Sequence, residues 1–276
     1  MLYGLMALGL VLLYKGTRVL NFAHGEMALF STFVGYSVTV TLHLHPAVAL
    51  VAAVLVGAVL GYLVDRLIAS PLGEGNMLAK AIATLGLFLA LGTVMRWIWF
   101  ADPKSMPGLF PDTSVKLGTL VVSATSLGVL CASLISLVVL VAFFRLHPLG
   151  LLIRATADDS QGAELIGIDP KRINSVIWIL SSALGALAGM MFVPTAFIGA
   201  GVMTPVLLKG IAAAVVGGFD SLPGAVIGGL IIGLGENILA YQISPEWKTP
   251  FAFIVLLAVL LIAPQGLIGQ RRRRRV

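Results

Sequence analysis

The stretch RLHPLGLLIRATADDSQGAELIGIDPKRINS, Arg145 to Ser175, is a polar, charge-dense insert in a chain that is otherwise almost continuously apolar. Of the 276 residues, 59% are hydrophobic and only 11% charged, with a mean hydropathy of +1.03. A soluble domain carries about 25% charged residues. No aqueous core has use for so much apolar surface, so the chain reads as an all-α polytopic membrane protein. It has room for roughly 8 spans of about 20 residues.

Working outward from the insert, hydropathy marks nine apolar segments: 1–14, 27–42, 46–64, 77–100, 119–144, 173–197, 203–219, 221–241 and 250–268. The first is short, since 14 helical residues reach about 21 Å against a hydrocarbon core of about 30 Å. It lacks a basic leader and a small-residue cleavage site, which argues against a signal peptide and suggests a clipped first helix. Segment 203–219 is interrupted by Pro205, Lys209 and Gly210 and reads as either re-entrant or a broken crossing. If 145–172 is cytoplasmic and all nine segments cross, Lys15, Arg18, Arg66, Arg145, Arg154, Lys171 and Arg172 are inside with the tail Arg271–Arg275. Only Lys104, Lys116 and Lys248 then fall outside. Lys80, Arg96 and Lys209 lie within segments, most simply near ends where they snorkel.

The net charge of +6 owes five charges to Arg271–Arg275, so it is no sign of nucleic acid. A basic tail beyond a span (271–276) fixes topology or meets anionic membrane lipid on the cytoplasmic face. The single Cys131 excludes an intrachain disulfide. There is no HExxH, GxSxG or GxxxxGK[ST] motif, and His24, His43, His45 and His147 have no ligand-like company. Neither an enzyme, nor a metal site, nor a cofactor is therefore expected, and any ATP hydrolysis belongs to another subunit. Gly57/Gly61, Gly185/Gly189, Gly224/Gly228 and Gly229/Gly233 repeat at four-residue spacing, as close helix packing in lipid demands.

Within the insert, Asp158, Asp159 and Ser160 read as helix-start residues and Gly167 as a stop, giving a helix of two to three turns through Ala163, Glu164, Leu165 and Ile166 toward Ile168. Two readings stand: a solvated loop, or a coupling helix that docks into a cytoplasmic partner. In the polar run Asn21, His24 and Glu26, the residues either organise the start of a helix near Met27 or contact substrate. Glu236 and Asn237 lie deep in a span, where a carboxylate faces a pathway or reaches the interface. GGFDSLPGA reads as a tight turn with Asp220 or Ser221 capping the next helix.

RATADDSQGAELIGIDPKRI resembles the cytoplasmic loop of ABC importer permeases of the high-affinity branched-chain amino acid family. YKGTRVLNFAHGEMALFSTFVGY (Tyr14–Tyr36) is similar to that family's INFAHGE segment. GIAAAVVGGFDSLPGAVIGGLIIGLGENIL (Gly210–Leu239) and APQGLIGQ match further segments in the same order. NFAHG favours the LivH-like subunit. The resemblance implies a single permease domain over 1–276 in a bacterial or archaeal inner membrane, a bundle of about 8–9 transmembrane or re-entrant helices of ABC importer permease type. It further implies two permease subunits, cytoplasmic ABC ATPase subunits and an extracytoplasmic substrate-binding protein, docked on outer loops such as 101–118 with Asp102, Lys104, Asp112 and Lys116. The implied cargo is a branched-chain amino acid, with urea or amides as a relative's choice. Coupling to the ATPase then falls to 145–172, with Asp158, Asp159, Ala163, Glu164, Gly167 and Ile168, and the pathway candidates are Asn21, His24, Glu26, Glu236 and Asn237. The competing class is a secondary transporter or channel working without ATP, for which inverted repeats are the hallmark. None is visible in the sequence.

Overall fold

The computed structural model describes residues 1–73, 76–99, 103–107, 113–117, 120–192 and 197–269. The tail Arg271–Arg275 and the loop residues Asp102 and Asp112 lie outside the described residues. Among the described residues, six helical stretches are long and apolar enough to cross a membrane. They include α3 (Pro46–Val64, extended by a π turn to Ala69), α4 (Met77–Trp99) and α5 (Ala124–Leu146). The others are α8 (Pro170–Phe192), α10 (Leu222–Gln242) and α11 (Lys248–Ile262, entered through a 3₁₀ turn from Pro245). Three further apolar helices are shorter: α1 (Leu2–Thr17), α2 (His24–Tyr36, continued by a π turn to Thr41) and α9 (Thr204–Gly217). A small hairpin, β1 (Ser114–Leu117) with β2 (Leu120–Ser123), precedes α5.

α1 is the axis of the bundle. Gly4 through Leu13 are all buried, because a helix apolar on every side has no face to give to water and is surrounded by other helices. α1 and α8 run antiparallel, with Gly16 against Ile177 and Gly9 against Ser181, whose Oγ donates to the Gly9 carbonyl at 2.8 Å.

One pattern occurs twice: a buried helix, a non-helical passage, then a shorter helix. α1 leads through residues 18–23 to α2, and α8 leads through 197–203 to α9. The partners also exchange: α3 packs on α8 as α10 packs on α1, and α2 lies between α3 and α8 as α9 lies between α10 and α1. These contacts relate α1–α4 to α8–α11 as an inverted repeat, the feature named above for a transporter working without ATP, so its presence does not separate that class from an ABC permease. The sequence shows no such repeat because the two halves share geometry and few residues. α9 is the ambiguous segment: its 14 helical residues start deep in the bundle and end where Gly217 meets Gly224, and the turns before it lead back to Ile198, which bridges Lys104 at the other end.

The four-residue glycine pairs lie where backbones touch. A Cβ on Gly57 would strike Ala186, and one on Gly61 the Trp178 carbonyl. Gly189 faces Thr32 and Ala28, Gly228 faces Ala213, and Gly229 faces Gly4. Gly233 alone has ordinary clearance, with Tyr3 at 3.8 Å. Since lipid tails are as apolar as leucine, such close approach is what holds helices together in a bilayer.

The ends sort by charge. Lys15, Arg18, Arg145, Arg154 and Asp220 line one hollow, and Asp65, Lys80 and Lys171 another, at the same end of the bundle. These are the segments that the lysine and arginine count groups together, and Lys104 lies at the opposite end, its Nζ 6.0 Å from the Tyr36 ring. Lys209 departs from expectation. It does not snorkel: it is 8% exposed and held inside the bundle by a carboxylate.

Candidate functional site

The interior carries a polar seam. Asn21 and His24 are fully buried and Glu26 is 1% exposed. The Asn21 Oδ1 accepts from the Ala23 amide at 2.9 Å, closing an Asx turn that lets α2 begin at His24 instead of near Met27. The three residues do not satisfy one another. His24 packs against Gly9 and Gly185, at the mid-lengths of α1 and α8, and neither ring nitrogen has a hydrogen-bond partner among the described residues. Glu26 reaches across to α9 instead, where the Thr204 hydroxyl donates to its Oε1 at 3.3 Å while Oε2 stays unpaired. The first turns of α2 and α9 therefore meet deep in the bundle, with a carboxylate between two positive helix ends.

A second polar group joins α1, α9 and α10. The Lys209 ammonium donates to the Glu236 Oε1 at 2.5 Å and to the Tyr3 hydroxyl at 3.3 Å, and that hydroxyl is 3.4 Å from the same Glu236 oxygen. Both charges are buried. Glu236, a pathway candidate from sequence, is engaged by a cation that sequence reading had put at a span end. Asn237 is its opposite: exposed on α10, it donates to the Gly233 carbonyl at 2.7 Å, one turn back in its own helix. Lys209, Tyr3 and Thr204 are the residues that sequence reasoning missed. The available signal was that a lone lysine and a lone glutamate, both deep in apolar helices, have few ways to be tolerated except together.

The polar insert holds two helices, not one. α6 (Pro148–Asp158) starts with His147 as cap, its Nδ1 accepting from the Leu149 amide at 3.2 Å, and with Pro148 in the first turn. Asp158 is thus a last residue of α6 and not a helix start. Asp159 is extended, with φ −151°, and its carboxylate caps α7 (Ser160–Leu165) by accepting from the Gly162 amide at 2.9 Å. α7 ends in a Schellman turn: the Ile168 amide donates to Ala163 and the Gly167 amide to Glu164, each at 3.0 Å, with Gly167 at φ +85°. Ala163 is buried and points into the protein, whereas Asp158, Asp159, Glu164 and Gly167 are exposed and Ile168 is half-buried. Leu165 and Ile166 are 90% and 76% exposed.

In GGFDSLPGA the Ser221 hydroxyl caps α10 by accepting from the Gly224 amide at 3.0 Å, and Asp220 pairs with Arg18 at 2.8 Å. Gly218, at φ +99°, and Gly217 leave no room for a Cβ against residues 224, 265 and 269. The closing segment folds back onto this turn, the Leu267 amide donating to Val216 at 2.8 Å.

The sequence matches the family model described as "Branched-chain amino acid transport system / permease component" over residues 1–260. LivH of Escherichia coli strain K12, a high-affinity branched-chain amino acid transport system permease protein, is 27% identical across 97% of this chain and 91% of its own length. BraD of Pseudomonas aeruginosa, under the same description, is 28% identical across 97% and 92%. LsrC of Escherichia coli strain K12/DH10B, an autoinducer 2 import system permease protein, is 30% identical across 78% of this chain and 62% of its own.

Proposed function

Because the chain belongs to the branched-chain amino acid transport permease family, matched over residues 1–260, we propose that it is the membrane-spanning subunit of an ATP-driven importer for branched-chain or chemically related amino acids. It is a multi-pass transport subunit and not an enzyme. Its ATPase subunits, a second permease and an extracytoplasmic binding protein are separate chains, and it resides in the inner membrane with the α6–α7 end toward the cytosol. The observation that carries the coupling role is the exposure of Leu165 and Ile166 at the tip of a capped, charged loop. Large apolar side chains in water at such a place are what a docked partner covers. ATP binding draws the partners together, α6 and α7 ride with them, and the two inverted halves rock to change which end is open.

Of the five pathway candidates, only Asn237 is exposed. The amino acid therefore passes along the outer face of α10, against the second permease, while His24, Glu26 and Glu236 join the halves and Asn21 shapes the head of α2. The test is reconstitution of the assembled complex with Glu164→Cys as its only thiol, in a Cys131→Ser background. Crosslinking from position 164 to an ATPase subunit, and leucine uptake that stops without ATP, are the expected results. Uptake that persists without ATP and without any retained ATPase sinks the proposal in favour of a secondary transporter. Uptake of leucine that isoleucine and valine fail to compete with moves the cargo elsewhere, a choice that the autoinducer-import relative leaves open.

A further inference from the structure

At the end of the bundle where α1 and α5 finish and α10 starts, a cavity of about 590 Å³ opens between them and α6. Lys15, Arg18, Arg145 and Arg154 line it, against Asp158 and Asp220. Asp220 is taken by Arg18. Lys15, Arg145 and Arg154 have no ion-pair partner among the described residues. Ser221, Leu222 and Pro223, the cap and first turn of α10, also form the wall, so the positive end of a long helix opens onto the same hollow. Asp158, the other carboxylate of the wall, acts on Lys15 electrostatically, yet four basic residues face only two acidic ones, and the excess positive charge favours an anion among them.

The rest of the wall is apolar, with Val141, Phe144 and Ile268. On α5, Arg145, Val141, Val138 and Leu134 follow at helical spacing, and Val138 and Leu134 are exposed, so a greasy stripe leads from the basic hollow along the membrane-spanning face. A ligand that is anionic at one end and apolar at the other satisfies both parts. We propose that the hollow holds the phosphate of an anionic phospholipid among Lys15, Arg145 and Arg154, with an acyl chain along Val141, Val138 and Leu134. Guanidinium groups suit phosphate oxygens in geometry as well as charge, and the space exceeds what a bare phosphate ion fills.

The full chain, purified and delipidated in detergent, is titrated with phosphatidylglycerol, phosphatidylcholine and inorganic phosphate, and adducts are counted by native mass spectrometry. A retained phosphatidylglycerol is expected where phosphatidylcholine leaves none. Arg145→Gln with Arg154→Gln should weaken it by about tenfold; both side chains are exposed, so thermal melting of the variant should match the parent. Arg66→Gln, outside the hollow, should bind as the parent does. Equal retention of the two lipids, or an unaltered affinity in the double variant, overturns the proposal. Binding of inorganic phosphate without any phosphatidylglycerol adduct overturns the lipid as the source. In the assembled complex, a crosslink from Arg154→Cys to an ATPase subunit with no lipid retained overturns it in favour of a protein carboxylate. None of these readouts depends on what the bundle transports.

Discussion

Two regions invert the usual rule of burial in opposite senses. Inside the bundle, Lys209, Glu236, His24 and Glu26 are polar and shut away from solvent. Outside it, at the tip of the polar insert, Leu165 and Ile166 are apolar and almost wholly exposed. A buried charge is tolerated only when its own chain supplies the partner, and Lys209 and Glu236 supply each other. An exposed leucine and isoleucine on a charged loop are left open because nothing among the described residues covers them. Within the first region the Lys209–Glu236 pair is closed on itself and should answer to stability measurements. The second is incomplete and should answer to assembly.

The sharpest break is Lys209→Ala, which strands Glu236 inside the bundle. Removing one member of a buried pair costs about 3–5 kcal/mol, so the variant is expected to insert poorly and melt far below the parent in detergent. Lys209→Met combined with Glu236→Leu and Tyr3→Phe removes the ions and the hydroxyl together and should recover most of that loss. Uptake then divides the two readings of Glu236. A stable triple variant that transports normally leaves Glu236 as a clasp, and one that is stable but silent returns it to the pathway.

The opposite region predicts the opposite signature. Leu165→Asp with Ile166→Asp changes exposed side chains that pack on little of their own chain, so the melting curve should stay within about 0.5 kcal/mol of the parent. Retention of the ATPase subunit on purification should fall by about tenfold or more, equivalent to about 1.4 kcal/mol. A variant that loses stability and keeps the ATPase would erase the contrast between the regions.

The parts legible in the sequence are those governed by local chemistry. The nine apolar segments, the four-residue glycine pairs and the Gly167 stop follow from composition and spacing, and Gly57, Gly61 and Gly189 are found at backbone contacts while Gly185 makes room for the His24 ring. α6 is hidden in the sequence because proline and glycine, at 148 and 150, are the weakest helix formers. Pro148 instead starts the helix, and Gly150 lets it press onto Phe143 and Phe144 of α5. Non-local pairing was hidden altogether. Lys209 and Glu236 are 27 positions apart and Glu26 and Thr204 are 178 apart, and hydropathy carries no record of which helix faces which. The inverted repeat escaped for the same reason, being a relation between packings.

The smallest effect belongs to Gly167, the joint between α7 and α8. Its φ of +85° is a conformation that side chains disfavour, yet a Cβ there meets nothing within 4 Å. Gly167→Ala therefore costs only backbone strain, about 1 kcal/mol, and should slow uptake modestly without touching the fold of the bundle. Asparagine is bulkier but tolerates the left-handed region better, so the pair separates two causes that a single substitution confounds. If strain in the Schellman turn sets the effect, Gly167→Asn is milder than Gly167→Ala in ATP-dependent uptake. If Gly167→Asn is the worse of the two, the empty space over this glycine is filled in the working complex, and the surface offered to the ATPase extends from Leu165 and Ile166 across the turn itself.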